Sequence, residues 1–149
     1  MKKMKLLLAA ACALLVCAAC NDELGPEYST YPEFGEMIYT PRFVTEDDTV
    51  DVRIPIMSQY GLSVAWVVYC LDGDLSTSKT TSQHYFKGEQ DTSVVFSAEN
   101  AIPKQPAGTK VTFQVQAATP YGVIGASKVQ TYTVESGEEQ PEVPGDEEN

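Results

Sequence analysis

Apolar and polar residues alternate along the middle of the chain with a period of two. In residues 50–57, Val or Ile holds every second position, and polar residues, Pro55 and Met57 hold the others. Residues 111–117 repeat this pattern with Val, Phe and Ala against Thr and Gln. A period of two is that of a strand with one buried face, whereas an amphipathic helix repeats every 3.6 residues. Both segments are therefore predicted to be strands, and Pro55, which has no N–H to donate, is expected to face an edge or a bulge.

A third segment, residues 62–71, is apolar on both faces, which predicts a central strand. One face carries Ala65, Val67 and Tyr69, and the other carries Val64, Trp66, Val68 and Cys70. Trp66 and Cys70 are expected to pack in the core. A buried thiol in apolar surroundings is a poor nucleophile, because nothing nearby stabilises its thiolate.

The remaining predicted strands are shorter or less regular. Val94 and Phe96 mark one of them, and residues 124–134 form another in which the alternation slips near Ser127 and Lys128. Residues 38–44 and 82–87 complete a set of seven. Clusters of Gly, Pro, Asn and Asp separate the strands, as turns require. Seven short strands with such turns predict an all-β sandwich over residues 38–134.

Part of this domain resembles a known family. Residues 107–117, followed by the turn at 119–122, are similar to the F strand and F–G turn of fibronectin type III domains, and residues 94–102 resemble strand E. Trp66 occupies the place where immunoglobulin-like domains carry a core tryptophan on strand C. Val111 stands where the family usually has a tyrosine, and residues 99–108 form a longer link than usual. The resemblance implies a seven-stranded immunoglobulin-like (fibronectin type III-like) β-sandwich.

The first 20 residues have the pattern of an export signal. Three lysines precede an apolar run from Leu6 to Ala19, which is shorter than the roughly 20 residues of a transmembrane helix. Ala18 and Ala19 precede Cys20 and resemble the lipobox of bacterial lipoproteins. The sequence therefore predicts a signal peptide at 1–19 and a lipid on Cys20; the alternative is an ordinary secreted protein cut nearby.

Acidic residues are concentrated at the two ends. Residues 21–37 hold five acids and no base, residues 135–149 hold seven acids and no base, and residues 38–134 hold nine acids and seven bases. Residues 20–37 are thus predicted to be a flexible acidic tether and residues 135–149 a disordered acidic tail. A net charge of −11 argues against nucleic acid as a partner. The acidic run after Cys20 resembles surface-export signals of lipoproteins, which favours the outer face of the outer membrane over the periplasmic face.

No arrangement of residues points to catalysis, and an enzyme is not expected. The usual nucleophile, zinc-protease and phosphate-loop motifs are missing, and His84 is the one histidine. The acids at 46–48 with Asp51, and Asp72 with Asp74, supply only part of the shell that calcium needs. Turn formation explains both groups, so neither a metal nor another cofactor is expected.

In the order of strands that the resemblance implies, three loops meet at one end of the sandwich, where the N-terminal tether also emerges. This places Tyr60, Lys87, Gln90 and Tyr121 together. Tyrosine offers a flat apolar ring and a hydroxyl, which suits the recognition of sugars or peptides. The sequence predicts a lipid-anchored, non-catalytic binding module for a glycan or protein, within a nutrient-capture or adhesion assembly. The alternative is a structural accessory subunit that packs on a larger envelope complex through a sheet edge or face.

Overall fold

The computed structural model describes residues 30–137. The predicted signal peptide, the predicted lipidation site Cys20, and the outer parts of the predicted tether and tail lie outside the described residues. Within the described range, the one helical segment is a 3₁₀ turn at Ala98–Asn100, and no helix is long and apolar enough to cross a membrane. The strands are β1 (Glu33–Phe34), β2 (Ile38–Thr40), β3 (Asp51–Met57), β4 (Val64–Leu71), β5 (Asp74–Thr80), β6 (His84–Tyr85), β7 (Asp91–Phe96), β8 (Lys110–Ala118), β9 (Ile124–Ala126) and β10 (Gln130–Thr133).

The first sheet is built around β3. Strands β1 and β2 pair with one side of it and β7 with the other, all antiparallel. The gap between β1 and β2 lies opposite Pro55, whose carbonyl accepts the Gly35 N–H at 2.9 Å. The nitrogen of Pro55 points to the same side of the strand and has no hydrogen to donate, so the ladder is interrupted there. This agrees with the expectation that Pro55 faces an irregular edge.

The second sheet is built around the long antiparallel pair of β4 and β8. Val64 lies opposite Ala118, and the register continues to Leu71 opposite Val111. Strands β9 and β10 pair with the far side of β8, and β5 and β6 pair with the far side of β4. The described chain is therefore all-β and consists of two sheets, as the sequence predicts.

The core lies between the inner faces of the two sheets. Strands β3 and β8 bury every second residue, so the alternation seen in their sequences predicts their inner faces correctly. Tyr39, Phe113 and Tyr132 pack against one another, with ring centroids 5.6 to 5.8 Å apart. The fully buried side chains of largest volume are Phe96, Phe113, Ile54, Ile56, Leu62 and Ile102.

The prediction that Trp66 lies in the core is wrong. The same prediction for Cys70 is confirmed only in that its side chain is buried. The core face of β4 is the one that carries Ala65, Val67 and Tyr69. Trp66 lies half-buried on the outer face. Cys70 is buried but lies outside the main core cluster, and burial, with the nearby charge of Asp74, raises the pKa of its thiol. Because β4 is apolar on both faces, its alternation could not tell which face turns inward.

The structure has ten short strands where the sequence predicts seven. Two of them, β1 and β5, were not predicted, and β1 falls in the acidic segment assigned to the tether. The predicted strand at 124–134 divides into β9 and β10 at the irregularity noted in its sequence. There the Ser127 hydroxyl accepts the Val115 N–H at 2.9 Å, and the Ser127 N–H donates to the Val115 carbonyl at 2.8 Å.

The end of the described chain contacts the loop between β2 and β3. The Glu135 N–H donates to the Val44 carbonyl at 2.7 Å, and the Gly137 N–H donates to the Glu46 carboxylate at 3.1 Å. These contacts extend into the first residues of the segment assigned to the tail. They place the last described residues at the end of the sandwich where β3 begins.

Candidate functional site

Three loops meet at one end of the sandwich, which we call the loop pole. They are residues 58–63 between β3 and β4, residues 86–91 before and at the start of β7, and residues 119–123 between β8 and β9. The antiparallel pairing dictates this arrangement, because Met57 lies opposite Asp91 and Val64 lies opposite both Tyr85 and Ala118. The expectation that these loops share one end therefore agrees with the structure.

Backbone hydrogen bonds join the first two loops. The Ser58 N–H donates to the Gln90 carbonyl at 2.7 Å, and the Leu62 N–H donates to the Glu89 carbonyl at 2.9 Å. In return the Gly88 N–H donates to the Leu62 carbonyl at 3.2 Å. Reciprocal bonds of this kind hold two loops in one relative position. Less conformational entropy of the loops is then lost when a ligand binds.

Gly61 is required where these loops approach. Its φ is 80°, in the left-handed region that favours glycine, and its N–H donates to the Ser58 carbonyl at 3.1 Å. A Cβ at this position would lie 2.7 Å from the Gly88 carbonyl oxygen. The close contact of the two loops therefore depends on the absence of a side chain next to Tyr60.

Tyr60 and Tyr121 come together across the loop pole. Their rings meet edge to face, with centroids 6.0 Å apart and planes at 88°. Tyr60 is partly exposed and Tyr121 is 43 % exposed. The turn that carries Tyr121 is fixed by Thr119, whose hydroxyl accepts the N–H groups of Tyr121 and Val123 at 3.3 and 3.2 Å. The two predicted tyrosines thus form one aromatic surface held by structured turns.

Gln90 and Lys87 lie on the neighbouring loop. The side-chain amide of Gln90 donates to the Gln59 carbonyl at 3.0 Å, which ties it to the residue before Tyr60. The Lys87 N–H donates to the Glu89 carboxylate at 2.5 Å. Hydrogen bonds from the N–H groups of Glu89 and Lys87, with a smaller contribution from the Lys87 charge, lower the pKa of Glu89. Lys87 is therefore placed beside an ionised carboxylate at neutral pH.

A cleft opens beside these residues, and sequence reasoning missed it. Its volume is about 300 Å³, and the N-terminal segment closes one of its sides. Tyr31, which is 44 % exposed, was assigned to the tether because the residues around it are acidic. The pairing of β1 with the end of β3 brings it here. The lining residues are Thr30, Tyr31, Glu33, Met57, Ser58, Gln59, Gln90 and Asp91.

The loop pole offers aromatic rings, amides and a few charges for non-covalent contacts.

His84 faces inward from β6, with its ring 4.8 Å from Phe86 and 6.5 Å from Phe96. The His84 ring therefore takes part in aromatic packing. Within residues 30–137, no group of three or more His, Cys, Asp or Glu side chains is placed to hold a metal ion.

Residues of the two acidic clusters noted in the sequence accept hydrogen bonds from nearby groups of the chain. The Asp48 carboxylate accepts the N–H and the hydroxyl of Thr45, each at 2.8 Å. Asp72 accepts the Lys110 N–H at 2.9 Å, and Asp74 accepts the Ser76 N–H at 2.9 Å. The bonds of Asp48 and Asp74 are local turn contacts of the kind expected of Asp, whereas the bond of Asp72 crosses to β8.

Comparison with known proteins identifies no family. No protein-family model matches the chain, and no curated protein matches it. Among solved structures, the chain is similar to the sensor domain of the anti-sigma factor RsgI4 from Pseudobacteroides cellulosolvens. The match has a TM-score of 0.46 and 16 % identity, and it covers 68 % of this chain and 94 % of that one.

Proposed function

We propose that this protein is a lipid-anchored, non-catalytic binding module at the outer membrane, displayed on the cell surface, that recognises a glycan or protein ligand at its loop pole. The anchor rests on the lipobox-like residues before Cys20, and surface display rests on the acidic residues that follow it. The binding role rests on the geometry of the loops.

We also propose that the sandwich is of the immunoglobulin-like, fibronectin type III-like kind. If each interrupted strand is counted once, β1 with β2 forms one edge of the first sheet, and β9 with β10 and β5 with β6 form the edges of the second. The sheets then have three and four strands, which is the division of a seven-stranded immunoglobulin-like domain. Trp66 on the outer face is a departure from that family's core tryptophan.

The observation that carries the binding role is the edge-to-face pair of Tyr60 and Tyr121. Aromatic side chains with partly exposed rings lose little conformational entropy on binding, and hydroxyl groups on the same rings provide orientation. The hydrogen bonds between loops 58–63 and 86–91 fix the backbone around this pair, so a ligand meets a surface that is already formed.

The test is ligand screening with loop-pole variants. The purified full chain is applied to a glycan array and to surface-crosslinking capture on whole cells, beside Tyr60→Ala and Tyr121→Ala. Phe43→Ala is the matched control, because Phe43 is 74 % exposed and precedes β3 at the opposite end of the sandwich. Loss of a ligand in both tyrosine variants, with retention in the control, supports the proposal. A ligand that all three variants bind as well as the wild type contradicts it.

The anchor and its location are tested on cells. Cys20→Ser is expected to release the protein from the membrane fraction. Protease treatment of intact cells is expected to remove the wild-type protein while a periplasmic marker survives. If the protein survives although the purified chain is cleaved, the surface location is wrong and the domain faces the periplasm.

A structural role in a larger complex is the second candidate. The observation that favours it is the outer face of β4, where Val64, Trp66 and Val68 are only partly buried. A protein that covered this face would bury their remaining apolar surface. In that case the chain is expected to co-purify with an envelope protein, and the Tyr60→Ala and Tyr121→Ala variants are expected to co-purify equally well.

A further inference from the structure

The outer face of the second sheet carries aromatic and amide side chains side by side. Trp66 on β4 lies directly opposite Gln116 on β8, and the next outward position on β8 is Gln114. Tyr85 on β6 lies opposite Val64, two residues from Trp66. In an antiparallel sheet such diagonal neighbours are roughly 7–8 Å apart, within reach of one another's side chains. We call Trp66, Tyr85, Gln114 and Gln116 the platform.

The two rings of the platform differ in exposure. Trp66 is partly buried, and Tyr85 is 73 % exposed. The Tyr85 hydroxyl donates to the Gln83 side-chain oxygen at 2.6 Å, which restrains the ring although the solvent surrounds most of it. Small residues lie beside the platform, since Ala126 is opposite Gln116 and Ala118 is opposite Val64. The sheet surface next to the two rings therefore carries small side chains.

The part of this face around Trp66 and Tyr85 carries no charged residue in the pairing register, although the chain holds 21 acidic residues. At the end away from Tyr85, Lys110 is outward in the pairing register, and Asp74 is close enough to Cys70 for its charge to help raise the pKa of the thiol. Lys128 is exposed in the irregular segment between β9 and β10. The other outward positions are Val64, Trp66, Val68, Cys70, Thr80, Tyr85, Thr112, Gln114, Gln116, Ala118, Ile124, Ala126, Thr131 and Thr133. The outer face of the first sheet, by contrast, carries Glu33, Asp51, Arg53 and Asp91.

We propose that the platform is a second binding site and that its ligand is an uncharged polysaccharide chain. Aromatic rings stack on the C–H faces of sugar rings, and each glutamine amide has both donors and an acceptor for sugar hydroxyls. A neutral chain fits the part of this face around Trp66 and Tyr85, because no charged residue in the pairing register has to be desolvated against it there. The net charge of −11 disfavours an acidic polysaccharide. The inference rests on the proposed role as a binding module and places a glycan on a surface separate from the loop pole.

The test is native affinity electrophoresis of the purified full chain in gels that contain one polysaccharide each. Xyloglucan, galactomannan and amylopectin are the neutral probes, and polygalacturonate is the charged control. At least one neutral probe is expected to retard migration of the wild type. Polygalacturonate is expected to leave its migration unchanged. Trp66→Ala and Tyr85→Ala are each expected to weaken binding roughly tenfold or more, as is common when a central aromatic contact is removed.

Two further comparisons distinguish binding at the platform from misfolding and from binding at the loop pole. Tyr85→Ala removes an exposed ring at a sheet edge, so it keeps the test valid if Trp66→Ala fails to fold, which circular dichroism detects. Phe43→Ala is the matched aromatic control and is expected to retain retardation, because Phe43 is 74 % exposed and lies outside both sites. Tyr60→Ala and Tyr121→Ala report separately on the loop pole.

Each other outcome overturns the inference. Retardation that is lost only in the tyrosine variants of the loop pole supports the proposed function and refutes the platform. If no neutral probe retards the wild type, the platform is not a polysaccharide site. The proposed binding at the loop pole is then decided by the crosslinking experiment described for it. If Trp66→Ala and Tyr85→Ala instead abolish co-purification with a protein, the face is a protein interface.

Discussion

The Asp72 carboxylate accepts the backbone N–H of Lys110 at 2.9 Å, and the Asp72 N–H donates to the Lys110 carbonyl at 2.7 Å. This reciprocal pair joins the turn between β4 and β5 to the first residue of β8. Asp72 has a φ of 51°, a left-handed conformation that Asp and Asn adopt more readily than other residues with a side chain. One residue thus supplies both the turn geometry and the contact across it.

Asp72→Ala is expected to lower the free energy of unfolding by about 1–2 kcal/mol, because it removes an acceptor and leaves Cβ in a left-handed conformation. Asp72→Asn keeps an oxygen acceptor and tolerates the same conformation, so its loss is expected to be smaller. Urea denaturation of the three proteins measures the difference. Equal losses in the two variants would show that the carboxylate contributes through its charge alone.

Gly61 and Gly88 provide a matched pair of backbone substitutions at the loop pole. Both have positive φ, 80° and 91°, but only at Gly61 would a Cβ meet a neighbouring atom, the Gly88 carbonyl oxygen. Gly88→Ala is expected to cost about 1 kcal/mol from backbone strain alone. Gly61→Ala is expected to cost clearly more, since the two loops must also separate. Thermal unfolding of both variants tests this order, and the reverse order would contradict the described loop contact.

The Tyr60–Tyr121 contact is expected to appear as an interaction energy in unfolding measurements. Edge-to-face pairs contribute about 0.5–1.5 kcal/mol beyond simple burial, and the partly exposed rings here place this pair at the lower end. A double-mutant cycle with Tyr60→Ala and Tyr121→Ala measures the value. Strict additivity of the two single losses would mean that the rings do not interact in solution.

Asp48 is expected to make stability depend on pH in acid. Hydrogen bonds from the N–H and then the hydroxyl of Thr45, with the charge of Lys104, lower its pKa from the ordinary 3.8. A lowered folded-state pKa contributes stability that is present above 3.8 and is lost as the pH falls through the folded value. The stability advantage of the wild type over Asp48→Asn is therefore expected to disappear in that window. An advantage that does not change with pH would argue against ionisation as its cause.

Tyr132 is expected to make the free energy of unfolding depend on pH in base. Burial, followed by the neighbouring Tyr69 and Tyr39, raises its pKa well above the ordinary 10.0. The folded protein therefore keeps a proton that the unfolded chain loses, and stability is present below pH 10.0 and declines as the pH rises above it. Tyr132→Phe is expected to show a shallower decline. Ultraviolet titration of the tyrosines gives an independent check, because Tyr132 should ionise only after the exposed ones.

The parts of the fold that sequence could predict are those with one buried face. In β3 and β8, alternation identifies both the strand and its inner side, since polar residues cannot be buried without partners. In β4, Trp66 and Val67 are both apolar, so the pattern indicates the strand without its orientation. Strand β5 was missed because it is polar on both sides, and its place at a sheet edge follows from pairing with β4.

The candidate site was predictable only as far as topology. The resemblance to fibronectin type III domains implies which loops meet, and the structure places Tyr60 beside Tyr121. The contribution of Tyr31 depends on the pairing of Glu33–Phe34 with β3, which the acidic composition of that segment does not indicate. The platform could not be predicted at all, because it requires Trp66 to face outward.

The described chain enters the sandwich at the loop pole and leaves it at the opposite end, where Gly137 bonds to Glu46. A pulling force applied through the two ends would therefore run along the strands. The hydrogen bonds of β2 with β3 and of β10 with β8 lie across that direction, so they would share the load in shear and would not open one after another. The placement of the two described ends therefore favours resistance to a force applied between them.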